Sequence, residues 1–333
     1  MRTIEPVGLD DVLAARERIR GAAIRTPLVR LSADVPDAEV WLKLENLQPI
    51  GSFKLRGAGN AIGRLSREDL AEGVYTASAG NMAQGVAWNA RRLGIPCAVV
   101  VPELAPAAKL AAIERLGASV VPVPFDDWWN VLVEHRHPGM RGRFIHPVSD
   151  PAVIAGNGTI GLEILEDLPD VDAVLVPYGG GGLSCGIATA LRALAPKAKV
   201  FGCEVATAAP LAASLAAGEA RAIAYTPSFV DGIGAKSVLA EMWPLASRLL
   251  AGSLVVSVEE AAAAVRLLVE RNRVVAEGAG AVSVAAAVAG RGGPGTIVCV
   301  VSGGNIDPVK LARILEGEVP GPGRAPTRTT TPG

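Results

Sequence analysis

Four short segments of this 333-residue chain contain residues whose types and spacing could do chemistry. The first is IGSFKLRGAGN, in which Lys54 lies between Phe53 and Leu55 and is bracketed by Gly51 and Gly57. A lysine kept partly out of water loses preference for its charged form, and a neutral amine is a nucleophile able to form a Schiff base. Read alone, the segment fits a solvated surface lysine equally well. The second is VPYGGGGLSCGI, where Gly179, Gly180, Gly181, Gly182 and Leu183 follow an apolar strand and open a helix. Backbone N–H groups at a helix N-terminus, with no side chains in the way, form a cradle for phosphate. The spacing matches neither GxGxxG nor GxxxxGK, and no acidic ribose ligand follows, so a dinucleotide or a nucleoside triphosphate is not indicated.

The third segment, TASAGNMAQG, runs from a strand end into a helix. Its backbone amides, with the Ser78 hydroxyl and the Asn81 amide, could hold a carboxylate. The fourth, VVSGGNI, presents the Ser302 hydroxyl where the last strong strand ends. Each of these two also fits an ordinary turn.

These segments need elements to position them. Asp10–Arg20 reads as an amphipathic helix, acidic in its first turn and basic in its last. Glu39–Leu44, Val74–Ala77, Ala98–Val101 and Val120–Val123 read as strands. Ala83–Leu93 and Ala105–Leu116 read as helices closed by Gly94 and Gly117. In the second half, Ala173–Val176, Lys199–Cys203 and Thr296–Val301 are uninterrupted apolar strands, as in a sheet covered on both faces. Ser257–Glu260 is a capping box opening a helix through Leu268. Strand–helix alternation implies βαβ units and a mostly parallel sheet, with ligands outside the carboxyl ends of the strands.

Composition narrows the function. Thirty-two basic and thirty-three acidic residues leave a net charge of -1, which argues against a nucleic-acid surface and for a small-molecule partner. The N-terminus lacks a signal-peptide core, and the most apolar window, Gly278–Gly290, is too short and glycine-rich to span a bilayer. Cys97, Cys185, Cys203 and Cys299 form no CxxC pair and read as buried hydrophobes of a reducing compartment. A cytoplasmic protein without membrane contact is expected. The stretch from Gly317 is rich in Pro, Gly and Thr, and a disordered tail over 317–333 is expected.

In order and spacing, the four segments resemble the threonine and serine dehydratases among the fold type II pyridoxal-phosphate enzymes. The likeness is carried by SFKLRGA (Ser52–Ala58), SAGNM (Ser78–Met82), the tetraglycine run, SGGN (Ser302–Asn305), IAGNGTIGLEI (Ile154–Ile164) and EGAGA (Glu277–Ala281). It spans about residues 10–315. The resemblance implies an α/β fold like the tryptophan synthase β chain, with two doubly wound parallel-sheet domains and pyridoxal 5'-phosphate in the cleft between them. Residues 1–46 and 147–316 would form the large cofactor-binding domain and 47–146 the small one. Lys54 would carry the cofactor as a Schiff base, and Phe53 would pack by its ring. Gly179, Gly180, Gly181, Gly182 and Leu183 would hold its phosphate, Asn81 would bond its phenolic oxygen, and Ser302 its pyridine nitrogen. Ser78, Ala79, Gly80, Asn81 and Met82 would hold the carboxylate of the amino-acid substrate. Lys54 would then remove the Cα proton, the β-hydroxyl would leave, and a 2-oxo acid and ammonia would result. A hydroxyl at Ser302 cannot stabilise a protonated pyridine by charge, so the ring is a weaker electron sink and prompt elimination is favoured over transamination. Family habit implies a homodimer or homotetramer.

Departures from the pattern shape further expectations. Met82 stands where the family usually has histidine, which widens the substrate pocket or simply changes packing. Ala79 replaces the serine of the related serine racemases and argues against racemisation. Glu204 and Ala208 match two of the racemases' divalent-cation ligands, but Pro210 stands where the second acid would be. No metal is expected, and Glu204 is left as a solvated group or a monovalent-ion ligand. Trp128 and Trp129, following Phe125, either pack the small domain or wall the site for a bulkier β-hydroxy amino acid. His135, His137 and His146 show no metal-ligand spacing. No regulatory module is expected after Gly317, and hence no feedback control by isoleucine. Within the fold, β-replacement or threonine synthase-like chemistry is the alternative; outside enzymes, the alternative is a phosphate- or amino-acid-binding module.

Overall fold

The computed structural model describes residues 4–321, so most of the expected tail lies outside the described residues. Ten strands are found there: β1 (Leu28–Arg30), β2 (Ala38–Lys43), β3 (Val74–Ala77), β4 (Cys97–Pro102), β5 (Ser119–Val123), β6 (Arg143–Phe144), β7 (Ala173–Pro177), β8 (Lys199–Val205), β9 (Gly252–Val256) and β10 (Gly295–Val300). They form a six-stranded sheet in the order β1-β2-β10-β7-β8-β9 and a four-stranded sheet in the order β5-β4-β3-β6. All pairings are parallel except that of β1 with β2.

The helices are α1 (Leu9–Arg18), α2 (Lys54–Gly63), α3 (Arg67–Ala71), α4 (Asn81–Leu93), α5 (Ala107–Glu114), α6 (Phe125–Glu134), α7 (Pro151–Asp167), α8 (Gly182–Leu194), α9 (Pro210–Ala217), α10 (Trp243–Leu249), α11 (Val258–Leu267), α12 (Gly278–Val288) and α13 (Pro308–Leu315). The alternation seen in the sequence is therefore that of an α/β protein with two parallel-sheet layers. The expected strands and helices fall on observed elements with small shifts of their ends. The helix expected over Ala105–Leu116 is shorter, and Pro106 caps it in extended conformation. Strands β1, β6 and β9 give no sequence signal because two are very short and the third is a half-buried edge strand.

Every residue of β7 is buried, and its side chains divide between two cores. Val174 and Val176 pack with Ile154, Ile160 and Ile187 from α7 and α8, whereas Ala173 and Leu175 pack with Val265, Ala281 and Val284 from α11 and α12. Covering both faces in this way demands an apolar residue at every position of the strand, which explains the absence of alternation. The alanine- and glycine-rich window is α12, a helix buried within this core. No helix among the described residues is long and apolar enough to cross a membrane.

Close helix packing fixes where α8 begins. A Cβ at Gly158 of α7 would lie 2.8 Å from the Gly186 carbonyl of α8, closer than real Cβ contacts allow, so glycine is what lets the two helices touch. Asn157 of α7 then donates to the Gly182 carbonyl at 3.3 Å, tying the first turn of α8 to α7.

Candidate active site

Lys54 is the first residue of α2, and its side chain is half-buried. Its Nζ donates to the Pro147 carbonyl at 2.7 Å and lies 5.2 Å from the centre of the Phe53 ring. No carboxylate among the described residues pairs with it. Burial alone pulls its pKa from the usual lysine range to about 8, so a useful fraction of neutral amine exists near neutrality. Half-buried and bonded to a backbone carbonyl, this side chain differs from a freely solvated surface lysine.

The other segments converge on the same place. Val148, one residue beyond Pro147, packs on the glycine run: a Cβ at Gly180 would come within 2.5 Å of Val148 Cγ1, and one at Gly182 within 2.7 Å of the Val148 carbonyl. Gly181 has φ +92°, the left-handed region, and precedes the first turn of α8. Leu183 is buried in the α7–α8 core. The loop is thus a shaped backbone turn whose unobstructed N–H groups open a helix, which suits an anion.

Ser302 follows β10 and is 4% exposed. Its carbonyl accepts the Phe53 N–H at 3.0 Å, and Gly303 bridges to Ser52, so the end of β10 is joined directly to the lysine segment. Ser78, Ala79, Gly80 and Asn81 occupy the turn from β3 into α4, all half-buried. Gly85 of α4 approaches Lys54 so closely that a Cβ there would sit 3.0 Å from the Lys54 carbonyl. Asn81 is fixed from two sides: its Nδ2 donates to Glu277 Oε1 at 2.8 Å, and its Oδ1 accepts from Asn305 Nδ2 at 2.8 Å. One Nδ2 hydrogen is left to point elsewhere. Four helix N-termini, those of α2, α4, α8 and α12, supply the framework.

A scan of protein families matches residues 19–303 to the model described as "Pyridoxal-phosphate dependent enzyme". The chain belongs to this family. It is 41% identical over 314 residues to an L-threonine ammonia-lyase of Thermotoga maritima, covering 93% of this chain and 78% of that one. It is 38% identical over 317 residues to the catabolic L-threonine dehydratase of Escherichia coli K12, covering 93% and 96% respectively. The processed form of threonine deaminase isoform 2 from Solanum lycopersicum superposes with a TM-score of 0.85 at 35% identity, covering 94% of this chain and 90% of that one. Within the pyridoxal-phosphate enzymes it therefore falls in the threonine/serine dehydratase group, as its motifs led one to expect.

The residues of this pyridoxal-phosphate enzyme fit the cofactor. They comprise a desolvated amine, a glycine cradle at a helix N-terminus, an amide with a spare donor hydrogen and a buried serine, joined through a few hydrogen bonds and the packing of Val148 on the glycine run.

Other expectations are corrected or narrowed. Glu204 is buried, not solvated: its Oε1 accepts Leu211 N–H at 2.8 Å, and its Oε2 accepts Ala212 N–H at 2.8 Å and Ser253 Oγ–H at 2.6 Å. It caps α9, whose first residue is Pro210, and its oxygens face those donors. Met82 is 2% exposed and packs with Ala58, Ile62 and Val86 in the core of the smaller sheet. Only its backbone can face the site, so its side chain does not widen the substrate pocket. Trp128 packs against the Tyr75–Val100–Val131 cluster, while Trp129 is 43% exposed.

Sequence reasoning missed three groups. Glu277, noted only within EGAGA, stands in the site as the N-cap residue of α12, with its carboxyl pushed up to about 7 by burial and by Asp231. Arg56, two residues after Lys54, is buried and bonded to both oxygens of Glu45 and both of Glu163, with Lys43 also on Glu163. Spacing could not reveal this network, since its members come from three separate segments. His135, His146 and Glu241 also meet, their ligand atoms within 4.8 Å of one another.

Proposed function

We propose that this pyridoxal-phosphate-dependent lyase removes the β-hydroxyl and the amino group of L-threonine or L-serine, giving a 2-oxo acid and ammonia, with Lys54 as the cofactor lysine and the base. The observation that carries this reading is the Lys54 amine itself: it is half-buried, has no carboxylate partner among the described residues, and is joined through Pro147 and Val148 to the glycine run. The bound cofactor supplies an aldehyde that takes up an amino group and a conjugated ring that acidifies the neighbouring C–H bond. The chain's residues supply the rest. The Gly179–Leu183 turn binds the phosphate, and Phe53 flanks the ring. Asn81, oriented by Glu277 and Asn305, donates to the phenolic oxygen, and Ser302 meets the ring nitrogen as a neutral partner. The turn from Ser78 to Met82 holds the substrate carboxylate with backbone N–H groups. A Lys54 amine with a depressed pKa is ready to accept the Cα proton.

Residues 47–146 would form the small domain beside a large one of 1–46 and 147–316. This division is supported by the four-stranded sheet drawing only on segments between Val74 and Phe144. Four free, buried cysteines support a reducing, cytoplasmic setting. Near-neutral charge supports a small-molecule partner over nucleic acid, and a homodimer or homotetramer is proposed, to be read by light scattering.

The test is the visible spectrum of the purified wild type beside Lys54→Ala, followed by 2-oxo acid release from threonine, serine and a bulkier β-hydroxy amino acid, with and without an added thiol. The lysine-linked band and all turnover should vanish in Lys54→Ala; a surviving band overturns the assignment. Release suppressed by thiol would favour β-replacement.

A further inference from the structure

The segment His146–Asp150 touches both halves of the site, yet nothing in the proposed chemistry uses His146. This side chain is 3% exposed and its ring is stacked on His135, with centroids 4.2 Å apart and planes at 17°. Its Nδ1 lies 3.1 Å from Val148 N and 2.8 Å from Ser149 N. Backbone amides can only donate, so Nδ1 must carry a lone pair, and the remaining proton sits on Nε2, which faces the Leu132 carbonyl at 3.2 Å. Both ring nitrogens are therefore committed to the protein, and the His135–His146–Glu241 cluster does not offer the His146 lone pair to a metal. What the ring does instead is fold the chain back on itself directly after Pro147. The two amides it holds belong to the residue that packs on Gly180 and Gly182 and to its neighbour, and the carbonyl just before them receives Lys54 Nζ.

We propose that His146, as the neutral Nε2–H tautomer, is a positioning residue that aims the Pro147 carbonyl at the Lys54 amine and seats Val148 under the phosphate turn. The ring meets Leu132, Val148, Ser149, His135 and Phe144, none of them proposed to hold cofactor or substrate, so it acts through the 147–149 backbone. A Pro147 carbonyl held in this direction gives the Lys54 amine a fixed acceptor whenever it is not bonded to the cofactor. The proposal rests on Lys54 being the cofactor lysine.

The test compares three variants of the holoenzyme. His146→Phe keeps a flat ring able to stack on His135 but has no acceptor. His146→Asn presents an oxygen the same number of bonds from Cα as Nδ1, whereas His146→Gln presents it one atom further out. His146→Phe and His146→Gln should lose about tenfold in kcat, release cofactor about tenfold faster and shift the pH titration of the cofactor's visible band, the scale expected when buried donors are left unpaired. His146→Asn should stay within about threefold of wild type on each measure. If His146→Phe does not fold, the Asn-against-Gln comparison decides alone. Equal behaviour of Asn and Gln, or a wild-type spectrum and cofactor release rate in His146→Phe, overturns the proposal. So does a loss of thermal stability in all three with the band's titration unchanged, which marks a purely structural turn. Lys54→Ala reports separately: a band that survives there sinks the Lys54 reading whatever the His146 variants do.

Discussion

Lys54 and Arg56 stand two residues apart at the start of α2, and both are taken out of water, with opposite results. Lys54 has a carbonyl for a partner, and burial brings its pKa down to about 8. Arg56 suffers the same desolvation, but the carboxylates of Glu45 and Glu163 more than offset it and push its pKa up. A second pair repeats the contrast among acids. Burial also works against the charge of Glu45, yet Arg56 holds its pKa below the usual carboxylate range, whereas Glu277, bonded to the neutral Asn81 amide, rises to about 7. Depth does not decide whether a buried ionisable group is reactive or structural; the charge of its partner does. One turn of helix thus holds a poised amine and, beside it, a neutralised lock between α2, α7 and the segment after β2.

The largest effect expected from breaking this contrast is on turnover. Lys54→Met should lower kcat/KM roughly ten-thousand-fold, the scale of losing a base and a covalent anchor, while leaving the urea midpoint unchanged or raised, because a desolvated amine is replaced by an apolar chain. Arg56→Met should do the converse on stability, costing about 3–5 kcal/mol in unfolding free energy by stranding two buried carboxylates. Equal destabilisation by the two substitutions would refute the contrast. Next in size, Gly180→Ala must push Val148 aside and should cost about 1–3 kcal/mol, with weakened cofactor retention measured by absorbance after gel filtration.

The smallest effect concerns pH. The folded pKa of Glu277 is raised from 4.5 to about 7, so between those values the folded state holds a proton that the unfolded state has lost, and stability falls as pH rises through that window. The wild-type minus Glu277→Gln difference in unfolding free energy should decline between pH 4.5 and 7 and be flat outside it. Lys54 has the opposite slope: its folded pKa is depressed from 10.5 to about 8, so relief of its desolvation makes stability rise with pH across that interval.

Much of this was legible in the sequence. Apolar runs at Ala173–Val176 and Thr296–Val301 announced strands covered on both faces, because a parallel strand with helices on each side has no wet face to alternate toward. The lysine segment, the glycine run and the asparagine turn lie where a turn or a strand end meets a helix N-terminus, with Ser302 just past the end of β10, and the resemblance that these segments carry together pointed to cofactor, fold and reaction class. Tertiary structure alone decided what each of these residues is held by. That Met82 turns into the core, that Glu277 and Asn305 grip Asn81 from opposite sides, and that Lys54 meets the Pro147 carbonyl behind the His146 turn all depend on contacts between segments tens to hundreds of residues apart. Spacing along a chain encodes the period of a helix or a strand. It carries no record of which distant partner will meet a buried group, and that partner sets the group's charge.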